Sequence, residues 1–244
     1  MRARRAGTAP SVGVLYGAMC GRYVTKDQAA IERAFSIVKP WWRFDASYNV
    51  APSQQVPVVR SVAGEREGAM LRWGLIPFFA KGVPPKYSTI NARVETVETA
   101  ASYRGPWKRG QRCIQVAAGF YEWHLSADGK KQPFFIHLAD REVFGFAGLW
   151  DKSFAADGSA IESCVHITMP ANDLMRDIHN TGSNPHRMPA ILRSEDYEAW
   201  LSGTTDEARA AVVQYPSDLM VAYAVSTRVN TPKNNDASLL DPLA

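Results

Sequence analysis

Short runs of β-branched, aromatic and other apolar residues recur along the chain, and this pattern limits the fold more than any other feature. Runs of this kind, bounded by turn-forming residues, predict β-strands. They lie at 56–62, 69–76, 113–123, 133–138, 143–150, 163–171 and 219–226. The strands do not alternate regularly with helices, as they would in a parallel βαβ sheet. The sequence therefore predicts an α+β fold, in which a mixed, mostly antiparallel sheet forms a barrel flanked by short helices.

Helices are predicted in the intervals between these strands. Thr25 followed by Gln28 has the spacing of a capping box and predicts a first helix that ends near Phe35. Further helices are predicted within 171–179, 194–201 and 205–215, the second of them capped by Ser194. The connection over 77–112 is too polar and too rich in proline for a strand, and connections of this length often carry function.

Composition and charge exclude several classes of protein. Apolar residues make up 46% of the 244 residues, which is enough for a well-packed core. The net charge of +4 permits a polyanionic partner without requiring one. The three cysteines stand far apart with no CxxC pair, so neither a disulfide framework nor a Cys-rich zinc site is predicted. No apolar run reaches the roughly 18 residues that span a membrane, and we expect a cytoplasmic protein with no metal and no organic cofactor.

The motif MCGRY (19–23) follows a segment with a basic start and a short apolar stretch, which makes a poor secretory signal. We interpret residues 1–19 as a leader that is either removed or due to a misassigned start, in which case Met19 is the true first residue. Cys20 is then either an ordinary small core residue or the first residue of the mature chain, with an amine and a thiol on one α-carbon. One domain is predicted over 20–244.

Three polar residues stand in unusual surroundings. Asn91 and Arg93 are separated by one residue, so an extended backbone points both to the same side. They belong either to a site or to a solvated loop. Glu122 lies between large aromatic residues in GFYEW (119–123), where burial would raise its pKa towards the range useful for proton transfer. The alternative is an outward-facing strand residue.

The segment 177–192 offers two histidines, His179 and His186, which could exchange protons near neutral pH or serve structural roles. Aromatic and basic residues also interleave at 41–44, 72–79 and 103–112. Flat side chains next to cations suit single-stranded nucleic acid, although most tryptophans in such runs belong to the core. The sequence contains no HExxH, Walker loop or GxGxxG motif, so zinc protease, nucleotide triphosphatase and dinucleotide-binding functions have no support.

A series of motifs, in order from Cys20 almost to the C-terminus, resembles the SOS response-associated peptidase family. The motifs are MCGRY, YNVAPSQ (48–54), RWGLIP (72–77), INARVET (90–96), GFYEW, GLW (148–150), IHN and RMPAIL within 178–192, and VSTRVN (225–230). The resemblance implies a one-domain, barrel-like protein that binds single-stranded DNA, recognises abasic sites and becomes covalently attached to them. It also implies that the methionine is removed and that the N-terminal cysteine closes a thiazolidine ring on the sugar aldehyde.

The resemblance further implies roles for single residues. The residues implied to carry the chemistry are Cys20, Asn91, Glu122 and His179. The residues implied to bind DNA are Arg22, Asn49, Pro52, Trp73 and Arg93. Asn91 would hold the Cys20 amine or the sugar, Glu122 would move protons, and His179 would protonate the opened sugar oxygen. Arg22 and Arg93 would meet phosphates, and the other three would line the DNA groove.

Two alternatives stay open for the function. Cys20 could be the nucleophile of a thiol peptidase that cleaves its own leader, since cysteine, glutamate and histidine together support acyl transfer. The protein could also be a binding module for single-stranded nucleic acid with no covalent step. If the protein instead attaches covalently to abasic sites, as the resemblance implies, we expect a monomer that is associated with the nucleoid. Its partner is then single-stranded DNA containing abasic sites. His186 remains the alternative to His179.

Overall fold

A computed structural model describes residues 20–37 and 42–243 of the chain. The predicted leader, residues 1–19, lies outside the described residues. The strands are β1 Arg22–Thr25, β2 Ser47–Val50, β3 Gln55–Val62, β4 Glu65–Trp73, β5 Asn91–Arg93, β6 Arg112–Ala117, β7 Gly119–Leu125, β8 Lys131–Leu138, β9 Phe144–Phe154, β10 Ala160–Pro170, β11 Arg187–Pro189, β12 Ile191–Leu192 and β13 Met220–Ala224. The α-helices are α1 Gln28–Phe35, α2 Arg104–Lys108, α3 Asp173–Ile178, α4 Tyr197–Ser202 and α5 Thr205–Ala211. Short 3₁₀ turns lie at Phe78–Ala80, Ser194–Asp196, Ser217–Leu219, Thr227–Asn230 and Ala237–Leu240.

A closed barrel of five strands forms the centre of the molecule. Going round it, β3 pairs with β4, β4 with β10, β10 with β9, β9 with β6, and β6 again with β3. The pairing of β4 with β10 is parallel, with Cys164 opposite Trp73, and the other four pairings are antiparallel. The prediction of an α+β fold with a mixed, mostly antiparallel barrel is confirmed.

A second, fully antiparallel sheet packs against the barrel, in the order β13-β8-β7-β1-β2. Tyr23 of β1 joins the two sheets, because its ring meets Trp73 edge-on at 5.2 Å and Phe146 at 6.1 Å between ring centroids. All three rings are buried. The start of β1 is thereby held against β7, the strand that carries Glu122.

Several predictions about single elements are wrong. The run 113–123, predicted as one strand, divides at Ala118 into β6 of the barrel and β7 of the second sheet. Gly119 permits this change of sheet, because a Cβ there would lie 2.3 Å from the ring of Phe135. Thr25 does not cap α1. Asp27 does so by accepting a hydrogen bond from the Ala30 N–H, and Thr25 ends β1 instead.

The connection over 77–112, predicted to contain no strand, includes the three-residue strand β5. β5 runs parallel to β10 and continues that sheet beyond the barrel, with Asn91 opposite His166 and Arg93 opposite Thr168. The extended backbone predicted for Asn91 and Arg93 is therefore present. Both residues are brought to the edge of the barrel near β11, which also pairs with β10.

Candidate functional site

Cys20 lies directly before β1 and beside β7. The register of these two strands, with Arg22 opposite Tyr121, brings the residues before Arg22 close to Glu122. The backbone nitrogen of Cys20 donates a hydrogen bond of 2.9 Å to Glu122 Oε2, and Cys20 is only 2% exposed. This nitrogen is the peptide nitrogen of the Met19–Cys20 bond. In a chain that begins at Cys20, the α-amino group would occupy the same place.

Glu122 faces away from solvent, so the interpretation of a buried carboxylate is correct and that of an outward-facing strand residue is wrong. Its side chain is almost fully buried between the two sheets. Burial raises the pKa of Glu122 to about 7, and hydrogen bonds from Cys20 and from the Trp123 N–H limit the rise. A carboxyl group with such a pKa can both accept and return a proton near neutral pH.

His179 occupies the other side of the same carboxylate. It ends α3, is buried, and holds its Nε2 atom 3.8 Å from Glu122 Oε1. Its Nδ1 atom accepts a hydrogen bond of 3.2 Å from the backbone N–H of Arg187. Burial lowers the pKa of His179 to about 4. The imidazole is therefore neutral at physiological pH, with its proton on Nε2 and directed towards Glu122.

A loop over 180–186 separates His179 from Arg187 in sequence but not in space. The backbone N–H of His186 donates to the carbonyl of His179 at 2.7 Å and closes the base of this loop. The His186 side chain is exposed, and its Nδ1 lies 3.0 Å from the carbonyl oxygen of Arg176. Of the two candidate histidines, the structure places His179 beside Glu122 and Cys20.

The Cys20 thiol is in an unusual environment for a nucleophile. Burial raises its pKa well above the ordinary value, the charge of Glu122 raises it further, and Arg187 only partly offsets these effects. Reactive cysteines that act as thiolates instead have a lowered pKa, produced by nearby cations or a helix N-terminus. The site therefore favours chemistry in which the thiol keeps its proton until a late step.

Asn91 and Arg93 stand together on β5. Asn91 is half-buried, and its carbonyl oxygen accepts a hydrogen bond of 3.2 Å from the Tyr103 hydroxyl. Arg93 is exposed, and its guanidinium donates to the side-chain oxygen of Asn184 in the 180–186 loop. Arg93 is thus the residue of the predicted DNA-binding set that presents a cation to solvent most openly.

Arg22 and Asn49 have structural contacts in the described residues. Arg22 Nη1 donates to Asn49 Oδ1 at 3.0 Å and to the Val229 carbonyl at 2.8 Å. Asn49 is 1% exposed, and its Nδ2 lies within 3.2 Å of the carbonyl oxygens of Val229, Thr231 and Asn234. Both side chains brace the segment 229–234 next to the site.

Trp73 and Pro52 differ in exposure. The Trp73 ring has no exposed surface and donates its Nε1 proton to the carbonyl of Ile90 at 3.0 Å. In this structure it belongs to the barrel core, whereas Pro52 is half-buried at the surface. The groove-lining role of both residues stays a prediction.

Sequence reasoning assigned no role to the residues that fix His179. Arg187 forms a two-pronged ion pair with Glu95, with Nη1 to Oε1 at 2.6 Å and Nη2 to Oε2 at 2.8 Å. The two residues are 92 positions apart, so no local spacing could reveal the pair. Glu95 lies in the motif INARVET and Arg187 in the motif RMPAIL, and membership of these motifs was the available signal for both residues.

The part of the chain that the structure describes contains neither a metal-binding cluster nor a membrane-spanning helix. In that part, no group of three or more histidine, cysteine or acidic side chains could hold a metal ion. No helix there is long and apolar enough to cross a membrane.

Comparison with known proteins identifies relatives along almost the whole chain. Residues 19–232 match the family model described as SOS response associated peptidase. The abasic site processing protein YoaM of Bacillus subtilis is 37% identical over 233 residues, which cover 91% of this chain and 98% of YoaM. The abasic site processing protein HMCES of Gallus gallus is 31% identical over 269 residues, which cover 92% of this chain and 78% of HMCES.

A solved structure shares the architecture. The crystal structure of a protein from Bacteroides thetaiotaomicron superimposes with a TM-score of 0.81 at 26% identity, covering 92% of this chain and all of the other. The matched residues 19–232 include Cys20, Glu122 and His179. The chain belongs to the SOS response associated peptidase family.

Proposed function

We propose that the protein processes abasic sites in single-stranded DNA by forming a thiazolidine cross-link through Cys20. The observation that carries the proposal is the contact of 2.9 Å between the Cys20 nitrogen and the buried carboxylate of Glu122. The relatives YoaM and HMCES are named abasic site processing proteins, which supports abasic sites as the substrate. We also propose that the mature chain begins at Cys20, which agrees with a family match that starts at Met19.

The chemistry follows from the two nucleophiles of an N-terminal cysteine. An abasic deoxyribose opens to an aldehyde, and the unprotonated amine adds to its carbonyl carbon. Loss of one water then gives a C=N bond. The thiol adds across that bond, so that sulfur bonds to carbon and the thiol proton goes to nitrogen. The sum is one thiazolidine ring and one water, with no oxidant or metal consumed.

Glu122 has the position and the pKa to move protons in these steps. An α-amino group titrates near ~8, so part of it carries a proton that must leave before attack. The Glu122 carboxylate, next to that nitrogen, can accept the proton and later return it to the departing water. A pKa of about 7 lets the same group do both near neutral pH.

His179 complements Glu122 as a neutral donor. Because Arg187 fixes its Nδ1 as the acceptor, its Nε2–H can donate a hydrogen bond to the sugar ring oxygen as the ring opens. A neutral imidazole gives a hydrogen bond without placing a second positive charge beside the amine. We therefore propose that His179 stabilises the opened oxygen by this hydrogen bond and keeps its own proton, because its Nδ1 is already occupied by the Arg187 N–H.

Binding of single-stranded DNA is proposed on the exposed cations and aromatic residues. Arg93 is exposed at the edge of the barrel, and the segment 78–87 presents two lysines with the exposed side chains of Phe78, Phe79 and Tyr87. Bases stack on aromatic faces and phosphates meet cations in such surfaces. A nucleoid-associated location would follow from this substrate.

The test compares two forms of the same chain with an abasic single-stranded oligonucleotide. A form translated from Met19 and shown by intact mass to begin at Cys20 should give an adduct that survives denaturation. Its mass should equal protein plus oligonucleotide less one water. In the 244-residue chain that retains residues 1–19, the Cys20 nitrogen is a peptide nitrogen and not a free amine, so this chain should give no such adduct. Absence of any adduct from the Cys20 form would overturn the proposal.

A Cys20→Ala variant separates the two covalent steps. It keeps the amine but lacks the thiol, so it should form an imine that survives only after reduction with borohydride. A stable adduct of this variant without reduction would show that the thiazolidine is not the product.

The thiol peptidase hypothesis is less well supported by the site. Acyl transfer by cysteine begins with a thiolate, and here the pKa of the Cys20 thiol is raised. His179 also points its proton at Glu122 and keeps its Nδ1 occupied by Arg187. A binding module with no covalent step would give no adduct with either chain, and it would bind intact and abasic strands equally with or without Cys20→Ala.

A further inference from the structure

Contacts extend from the surface residue Glu95 to Cys20. Glu95 follows β5, and its carboxylate, 45% exposed, holds both Nη atoms of Arg187. The Arg187 side chain is only 12% exposed, and its Nη2 also donates to the carbonyl of Thr168 at 2.9 Å. The Arg187 backbone N–H meets His179, and His179 faces the carboxylate that holds the Cys20 nitrogen.

We infer that Glu95 is a positioning residue of this site, acting on His179 through Arg187. The inference rests on the proposed function, because His179 matters only if the site carries out chemistry.

The local backbone explains why such an anchor is needed. Arg187 begins a strand of only three residues, and it follows the 180–186 loop, which consists of Asn, Thr, Gly, Ser and Pro residues and ends in His186. Residues of these types form turns and loops and not a regular helix or strand that would hold Arg187 by itself. The ion pair with Glu95 and the bond to Thr168 fix the end of that loop from the side of β5 and β10. The position of Arg187 in turn places its backbone N–H, which selects the tautomer of His179.

Geometry and charge agree in this arrangement. Two parallel N–H to oxygen bonds between a guanidinium and a carboxylate are stronger and more directional than a single contact. The Arg187 side chain lowers the pKa of Glu95, so the pair stays charged at neutral pH. The groups that face His179 are Glu122 from β7, Arg187 from β11 and His186 from the loop.

The test uses Glu95→Gln, which keeps the shape of the side chain but removes its charge. The matched control is Glu98→Gln, three residues further on, where Glu98 forms an exposed pair with Arg209 at 3.3 Å. The first measurement is the ¹⁵N spectrum of the histidine rings in the full 244-residue chain, with His179 assigned by its loss in His179→Asn. The second is the rate of cross-linking to abasic single-stranded oligonucleotide by the form that begins at Cys20.

In the unsubstituted chain, the two His179 nitrogens should have well-separated shifts, as expected of one fixed tautomer. Glu95→Gln should bring these shifts closer together and slow cross-linking about tenfold, the loss expected when one charge-assisted contact is removed. Glu98→Gln should change neither.

Unchanged His179 shifts in Glu95→Gln overturn the inference, whatever happens to the rate. A slower rate with unchanged shifts would mean that the ion pair acts on the DNA and not on His179. If the unsubstituted protein forms no cross-link, the proposed function fails, and the spectra still decide whether Glu95 positions His179.

Discussion

At the scale of single residues, the carboxylate of Glu122 decides what the site can do. One oxygen holds the nitrogen of Cys20 and the other faces His179. Burial shifts the pKa values of the two titrating side chains in opposite directions, so that the pKa of Glu122 is raised to about 7 and that of His179 is lowered to about 4. Near neutral pH the site therefore holds a proton acceptor next to a neutral donor, with little net charge buried.

The pH dependence of cross-linking should report Glu122. The ionised form accepts the proton of the amine, so the rate should rise with pH as the carboxyl loses its proton near 7, and rise again as the amine does near ~8. Glu122→Gln should lose the lower inflection and be on the order of 100-fold slower, as expected for loss of a general acid–base group. Rates are measured from denaturing gels at fixed ionic strength.

The control for this substitution is Glu142→Gln, because Glu142 has an 80% exposed side chain paired with Lys26 at 3.7 Å. It should follow the unsubstituted profile. A Glu122→Gln profile with both inflections intact would remove Glu122 from the proton transfer.

At the scale of elements, the loop over 180–186 shows how the site tolerates a long connection. The bond between the His186 N–H and the His179 carbonyl closes its base, and Asn180 is held by Leu125 of β7 at 2.8 Å. These two contacts hold the ends of the loop, so His179 and Arg187 lie close together although seven residues separate them. Under the proposed function, we expect the acting histidine to be His179, on the α3 side of the loop.

A pair of substitutions distinguishes the two histidines. His179→Asn should slow cross-linking at least about tenfold, because the Nε2 donor is lost. His186→Asn should change the rate less than about twofold, because the ring is exposed and asparagine tolerates the positive φ of 59° at this position. Rates of adduct formation measure both. The reverse order of effects would assign the role to His186.

Local patterns in the sequence predicted most of the strands and the barrel, because alternation and turns are local properties. They did not predict β5, whose three residues extend only because β10 lies beside them. They also missed the division between β6 and β7, since Ala118 and Gly119 resemble the interior of an apolar run. Glu122 had two interpretations because burial depends on the second sheet, and the pair of Glu95 with Arg187 depends on distant segments.

At the scale of the whole molecule, the site lies between two sheets and is part of the stability of the fold. A carboxyl group whose pKa rises on folding binds more protons in the native state than in the unfolded state between about 4.5 and about 7. Its contribution to the free energy of unfolding therefore falls as pH rises through that window. The lowered pKa values of His179 and His166 act in the opposite direction, since unfolded histidine binds more protons below about 6.5.

Glu122→Gln should remove only the first of these effects. In the 244-residue chain, the free energy of unfolding of the variant relative to the unsubstituted protein should increase from pH 5 to pH 8, by about 3 kcal/mol at most. Urea denaturation at the two pH values measures the difference, with Glu142→Gln as the control. A difference that does not change with pH would mean that Glu122 is not protonated on folding.

The contact between Cys20 and Glu122 also has a consequence during synthesis. Glu122 lies 102 residues further along the chain, and His179 and Arg187 further still. Cys20 therefore emerges from the ribosome long before the residues that bury it are synthesised. Until those residues are made, the thiol is exposed to oxidants and aldehydes in the cell. The site can become selective only after the segment that contains Arg187 has folded.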